Sequence, residues 1–346
     1  MKKINELLYE FCPNGVEFKK LGDGQVYITK GEQLNKEVLL ENGNYPVING
    51  GTSPSGYWNN FNTEANTIAI SQGGASAGFV NFIITPFWAG AHCYVVKPAN
   101  GSLNNRYLYH FLKNKQIAIQ GSKFGAGIPA LNKNDIENLE IPLPRLEIQN
   151  EIVRILDNFT ELEAELEAEL EARTKQYEHY RNQLLDFSRG FVGVPKIDKM
   201  MAEVCPNGVN HVFIDKVLNI KNGKDYKHLK KGNIPVYGTG GIMGYVDNFS
   251  YNKPSVLIPR KGSLNKLYYV DEPFWNVDTI FHTEIFTEIV VPKYVFYYLQ
   301  TQHLEELNTA GGVPSLTQTI LNKVIIPIPP LEIQHEIVSI LDNFST

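Results

Sequence analysis

The sequence predicts an α/β (α+β) protein in which two similar domains are separated by a long coiled-coil-type helix. Three observations predict it. The chain repeats itself once, in order. Each copy alternates short apolar runs with glycine turns and one stretch of helical periodicity. Between the copies, residues 146–189 contain no Gly or Pro and carry a continuous apolar stripe. A chain of 346 residues also exceeds what one hydrophobic core usually serves, which agrees with two domains.

The repeat is read directly from the letters. CPNGV stands at 12–16 and again at 205–209, YPVINGG at 45–51 answers IPVYGTGG at 234–241, and GYWNNF at 56–61 answers GYVDNF at 244–249. PFW recurs at 86–88 and 273–275, GIPAL at 127–131 answers GVPSL at 312–316, and LEIQNEIVRILDNF at 146–159 returns as LEIQHEIVSILDNF at 331–344. The offset falls from 193 to 185 without loss of order, so the second copy is the first with a few deletions. The repeat sets the boundaries: a first domain at 1–145, a spacer helix at 146–190, a second domain at 191–330 and the start of a second, truncated spacer helix at 331–346.

Within each copy, TIAIS at 67–71 and SVLIP at 255–259 read as short strands ending in glycine turns. FVNFIIT and KLYYV come next as alternating strands. NRYLYHFLKNKQIAIQ at 105–120 and PKYVFYYLQTQHLEEL at 292–307 have helical spacing. Each copy then closes with a glycine turn, a short strand and a Pro-rich exit, IPLPRL or IPIPPL.

In the spacer, apolar residues fall three, four or seven apart at Ile148, Ile152, Ile155, Phe159, Leu162, Leu166, Leu170, Tyr177, Tyr180, Leu184 and Phe187. Such a helix would be roughly 60 Å long at about 1.5 Å per residue. Its middle is the tetrad LEAE-LEAE-LEAR, and leucines four apart drift around the helix by about 40° per step. The pattern is a stutter within a coiled-coil stripe. A solvated single helix of strong helix formers is the simpler alternative, but the stripe extends beyond the tetrads in both directions and favours pairing.

Composition excludes some classes. Hydrophobic residues make up 43% of the chain and charged residues 20%, and no apolar run approaches the ~18 residues that cross a bilayer. The start, MKKINELLYEF, lacks the pattern of a secretory signal, and three cysteines suit a reducing compartment, so a cytoplasmic location is expected. The net charge of −5 speaks against a nucleic-acid partner until it is counted by region. Residues 145–190 hold eleven acidic and six basic residues, and the remainder holds 26 of each. A basic surface therefore remains available on either domain.

No catalytic signature appears: no GxxxxGK[ST], GxSxG or HExxH, and no Cys or His pair at zinc spacing. Catalytic and metal residues are accordingly expected to be absent. QGGASAG at 72–78 joins strand to strand, not strand to helix, which is poor geometry for a phosphate loop. His92, beside Cys93, is expected to pack in the core.

The order of domain, IPxPxLxxQxxIVxILDxF, long helix with KQYEHYRNQLLDF, second domain and second IPxPxLxxQ segment resembles the specificity subunits of type I restriction and modification systems. That resemblance covers essentially the whole chain. It implies two target-recognition domains, each reading one half of a bipartite, asymmetric sequence in double-stranded DNA. It also implies a helix that sets the unread spacer and docks two methyltransferase subunits, with restriction and motor subunits joining through them. S-adenosylmethionine, ATP and Mg would then belong to the partners and none to this chain. In the family a second long helix runs antiparallel to the first, whereas here the second LEIQ segment stops after about four turns. The expectation is either a shortened product or a homodimer in which one copy borrows a helix from another.

Candidates for DNA contact combine base-reading amides with phosphate-binding cations in loops at matching places. In the first domain they are Lys30, Gln33, Asn49, Gln72, Lys123, Asn132 and Lys133. In the second they are Lys221, Lys224, Lys227, Tyr237, Arg260, Lys261, Asn265, Lys266 and Gln318. Seam and partner-docking candidates on the helix are Ile152, Ile155, Phe159, Leu162, Leu166, Leu170, Tyr177, Tyr180 and Leu184. The competing reading is a coiled-coil interaction scaffold whose two domains bind protein or glycan, as the aromatic and Asn content of GYWNNFN would permit.

Overall fold

The computed structural model describes residues 2–125, 129–189, 192–308 and 314–344. The chain divides into two compact units, Met1–Glu167 and Ala168–Thr346. Parts of the glycine turns expected at GIPAL and GVPSL lie outside the described residues.

In the first unit a four-stranded antiparallel sheet runs in the order Val26–Lys30, Cys93–Pro98, Thr67–Ser71, Val80–Ile83. A second sheet sets Tyr45–Ile48 between Tyr57–Trp58 and Trp88–Ala89, the last pair parallel. The second unit repeats this arrangement. Its four strands are Leu218–Asn222, Ile280–Ile285, Ser255–Pro259 and Tyr268–Val270, and Lys231–Gly238 lies between Gly241–Val246 and Trp275–Asn276. Each unit adds a two-stranded ribbon that carries the chain to its exit helix: Phe18–Lys20 with Glu140–Pro142, and Asn210–Phe213 with Ile325–Ile328.

TIAIS and SVLIP are central strands, buried along their whole length. The middle of each is apolar on both sides because its two faces feed two cores. Ile68 and Ile70 pack with Leu108 and Leu112 of the helix Asn105–Asn114, while Ala69 points into a second cluster with Phe87 and Cys93. In the second unit Val256 and Ile258 join Tyr294 and Val295, and Leu257 joins Phe274 and Ile280. A strand covered on both faces has no polar alternation to show.

Three helices differ from the sequence expectation. The stretch 105–120 is two helices, Asn105–Asn114 and Gln116–Gly121, with Lys115 between them. The stretch 292–307 is helical only over Pro292–Leu299, and a separate 3-10 turn, Leu304–Leu307, begins after His303, whose φ of 44° is incompatible with continuing the helix. The spacer helix spans Leu146–Leu185 and does not reach position 189. There Asp186 turns the chain, its carboxylate accepting the amide of Ser188 at 2.9 Å, and Phe187 is buried beyond the helix end.

Among the helices that were not anticipated, the two long ones are Lys2–Phe11 and Pro195–Val204, each of ten residues. Each precedes its copy of CPNG and reaches its exit helix through a lysine: Lys3 Nζ lies 3.0 Å from Glu151, and Lys196 Nζ lies 2.6 Å from Glu336. Both CPNG turns place the glycine at positive φ, 91° at Gly15 and 85° at Gly208, where a side chain would be strained.

Candidate nucleic-acid interface

Each domain turns from the edge strand of its four-stranded sheet, Val26–Lys30 or Leu218–Asn222, into a loop that passes the end of the PFW strand. In the first domain this loop carries Lys30, the last residue of its strand, and Gln33; the indole Nε1 of Trp88 donates to the Glu32 carbonyl at 3.1 Å. In the second, Lys221 lies in the strand that leads to the loop and Lys224 on the loop itself, and Trp275 Nε1 donates to the Lys224 carbonyl at 2.9 Å. Gly31 and Gly223 sit where the two backbones nearly touch, leaving no room for a Cβ against the carbonyls of Ala89 and Val277. The repeated tryptophan thus fixes the cation-bearing loop in both copies, a role that its repetition in the sequence did not disclose.

The remaining candidates separate by what they touch. Asn49 faces inward: its side-chain oxygen accepts the His92 amide at 3.0 Å, and the imidazole Nδ1 lies 3.4 Å from Gln72 Oε1. His92 is itself exposed, contrary to the expectation of a core residue, because the chain leaves the buried strand at Cys93. Burial pushes the neighbouring Cys93 thiol up to about 12, so it holds its proton and is no nucleophile at neutral pH. Lys123 Nζ donates to the Ala75 carbonyl at 3.1 Å. Asn132 caps the short helix Lys133–Glu137 in a reciprocal box with Asp135, and Lys133 pairs with Glu137 at 3.1 Å.

In the second domain Lys221 pairs with Glu284 at 3.5 Å on the neighbouring strand. Beneath them His282 is held neutral, its imidazole lowered to about 4, mainly by burial, with Lys221 and Lys224 lowering it further against the opposing pull of Glu284. Tyr237 is a strand residue rather than a loop residue, its ring 5.9 Å from Tyr268 and 6.2 Å from Phe274, and burial raises its phenol. Gln318 donates to the Ile220 carbonyl at 3.1 Å. Lys227, Lys261, Asn265 and Lys266 are exposed.

Arg260 and Lys261 form the turn after the central strand Ser255–Pro259. The Arg260 guanidinium lies 5.7 Å from the Phe281 ring centre, and its backbone amide donates to the Thr279 carbonyl at 2.9 Å. The same carbonyl accepts the hydroxyl of Thr239 at 2.8 Å. The basic turn and the turn of the hairpin 231–246 therefore share one anchor. Among the described residues no group of three His, Cys, Asp or Glu could hold a metal ion, and no helix is long and apolar enough to cross a membrane.

Of the helix candidates, Leu184 is buried in the core of the second unit, and Tyr177 packs partly against it. Tyr180 stacks on Phe344 at 5.6 Å. Ile152 lies half-buried against the first core, and Ile155 is half-buried. Phe159, Leu162, Leu166 and Leu170 stand 51–68% exposed, so the middle of the helix carries an apolar stripe open to solvent among the described residues.

Residues 13–172 and 206–346 each match the type I restriction modification DNA specificity domain. The chain belongs to that family. It is 32% identical to a putative type I restriction enzyme specificity subunit of Haemophilus influenzae, over 96% of this chain and 88% of that protein. To a putative type I specificity subunit of Mycoplasma genitalium it is 27% identical, over 94% of this chain and 87% of the relative. The crystal structure of the S subunit of the type I restriction-modification system of M. genitalium superposes with a TM-score of 0.68 at 25% identity, covering 96% of this chain and 90% of that one. The α/β fold, the two target-recognition domains and the long central helix expected from the sequence are those of a type I specificity subunit.

Proposed function

We propose that this chain is the non-catalytic targeting subunit of a type I restriction-modification enzyme, and that each domain reads one half of a bipartite DNA sequence. The observation that carries the reading is the matched pair of tryptophan-anchored loops, which present Lys30 with Gln33 in one domain and Lys221 with Lys224 in the other. Cations beside the same loop, at different positions in the two copies, serve phosphates of both half-sites, and the side chains that differ between the copies, Glu32 against Lys224 among them, supply different base readout.

The exposed stripe from Phe159 to Leu170 is the docking surface for two methyltransferase subunits, through which restriction and motor subunits join. S-adenosylmethionine, ATP and Mg are bound by those partners, and the complex works in the cytoplasm.

The test is duplex binding by the chain assembled with its methyltransferase subunits, measured against salt. Log affinity should fall linearly with log salt, by about 0.9 for each phosphate neutralised. One sequence should be preferred over random duplex. Binding that ignores both salt and sequence would leave the scaffold reading in its place.

A further inference from the structure

The hairpin formed by Lys231–Gly238 and Gly241–Val246 turns at Thr239 and Gly240, and at its tip the returning strand carries two apolar side chains. Ile242 is 51% exposed and Met243 57% exposed. The tip is joined to the basic turn in three ways. Thr239 donates to the Thr279 carbonyl that also accepts the Arg260 amide, and Tyr268 donates to the Thr239 carbonyl at 3.0 Å. Third, Gly262, at φ 85°, lies beside the Thr239 methyl. Wherever Arg260, Lys261 and Lys266 meet a phosphate backbone, Ile242 and Met243 arrive with them.

The first domain has no such tip. At the corresponding place its chain reads NGGTSPSG over 49–56, with exposed Thr52, Ser53 and Ser55. Counted back from the matched GYWNNF and GYVDNF, the repeat thus presents Pro54 and Ser55 in one copy where the other presents Ile242 and Met243. The 5-methyl of thymine is the one apolar group that base edges offer in the major groove, so an apolar pair tied to a basic turn suits it. Gly238 adds to the fit: with no side chain of its own, it leaves room for the Met243 thioether to fold across the hairpin, which lets that side chain adapt to the methyl it meets.

We infer that Ile242 and Met243 are specificity-determining residues that read thymine through its 5-methyl group in the half-site bound by the second domain. This rests on the DNA-targeting function proposed above. The probe is the target duplex, mapped from methylated sites, with each thymine in turn replaced by deoxyuridine, which removes the methyl alone. For the assembled complex, one or two replacements confined to one half-site should weaken binding by about threefold to fivefold each, the worth of one buried methyl-sized group. The I242S/M243S variant should bind thymine and uracil duplexes equally at those positions, and the I242V/M243L variant should still discriminate.

Equal binding of all duplexes by the unaltered complex overturns the inference, as does discrimination that survives in I242S/M243S or a tip that protects a bound protein instead of DNA. In each of those results sequence preference itself persists. Its absence from the unaltered complex would instead overturn the targeting function, and this inference with it.

Discussion

Gln149 and Gln334 make the same three hydrogen bonds in the two domains. Gln149 Oε1 accepts the Asn104 amide at 2.8 Å, while Nε2 donates to the carbonyls of Ser102 and Pro144 at 2.9 and 2.8 Å. Gln334 Oε1 accepts the Val291 amide at 2.8 Å, and Nε2 donates to Ile289 and Pro329 at 3.1 and 2.8 Å. Both glutamines are fully buried. The repeated LEIQ is therefore a joint that ties the exit helix to its Pro-rich approach and to the start of the domain's main helix.

Gln149→Leu should destabilise the first domain, and Gln334→Leu the second, by about 2–4 kcal/mol each, because three backbone groups lose buried partners that water cannot fully replace. Chemical denaturation gives the magnitude. Hydrogen exchange gives the location: protection should fall at the amide of Asn104 in one variant and of Val291 in the other. Equal loss across both domains in either variant would contradict a local joint.

Glu151 gives a pH dependence with a definite sign. Hydrogen bonds from Arg154 and then Lys3 hold its carboxyl down at about 2, against the ordinary 4.5. A depressed carboxylate stabilises the folded state fully above its unfolded value and loses that contribution as pH falls through the folded one. Unaltered protein should therefore exceed Glu151→Gln in stability above pH 4.5, with the difference closing between 4.5 and about 2. Paired unfolding curves over that range measure it, and a difference that widens on acidification would refute the pairing.

Trp275→Phe keeps an aromatic ring in the second domain but removes the hydrogen bond to the Lys224 carbonyl. The fold should persist, with a stability cost of about 1 kcal/mol for one neutral hydrogen bond. DNA affinity should drop by more than that cost explains, since Lys224 loses its fixed loop. Fluorescence anisotropy at two salt concentrations separates the effects. A variant that binds as well as the unaltered chain would remove this loop from the interface.

Much of this was legible in the sequence because the repeat exposes whatever both copies need. TIAIS and SVLIP could be read as strands, though not as the central ones, and the absence of Gly and Pro from 146–189 announced the spacer helix. Its end could not be read so closely, because Asp186 stops it through a turn that the apolar stripe ignores. The roles of Gln149 and Trp88 were hidden for a different reason: their partners, Asn104 and Glu32, lie 45 and 56 residues away and offer backbone groups that no sequence letter identifies. Among the site candidates, cations at strand ends were found by their charge. Asn49 and Gln318 matched the same pattern, yet they spend their amides on the protein's own backbone.

The exposed leucines permit a separation of folding from assembly. Leu162, Leu166 and Leu170 are 51, 64 and 68% exposed, so changing all three to Gln should alter stability by no more than about 0.5 kcal/mol per site. Capture of the methyltransferase subunit should nonetheless fall at least tenfold, because the docking surface loses its apolar core. Co-purification with titrated partner gives the readout. Undiminished assembly would place the docking surface elsewhere.

The length of the same helix makes the sharpest prediction. Deleting 166–169 removes one tetrad, which shortens the helix by about 6 Å and rotates its C-terminal part by about 40° relative to its N-terminal part. On B-form DNA that shortening is on the order of one to two base pairs. The half-sites belong to domains whose cores lie outside the tetrads, so their sequences should not change. Mapping methylated positions in DNA modified by the assembled variant should recover both half-sites with a shorter unread stretch between them. New half-sites around an unchanged spacer would show that the helix does not set the distance.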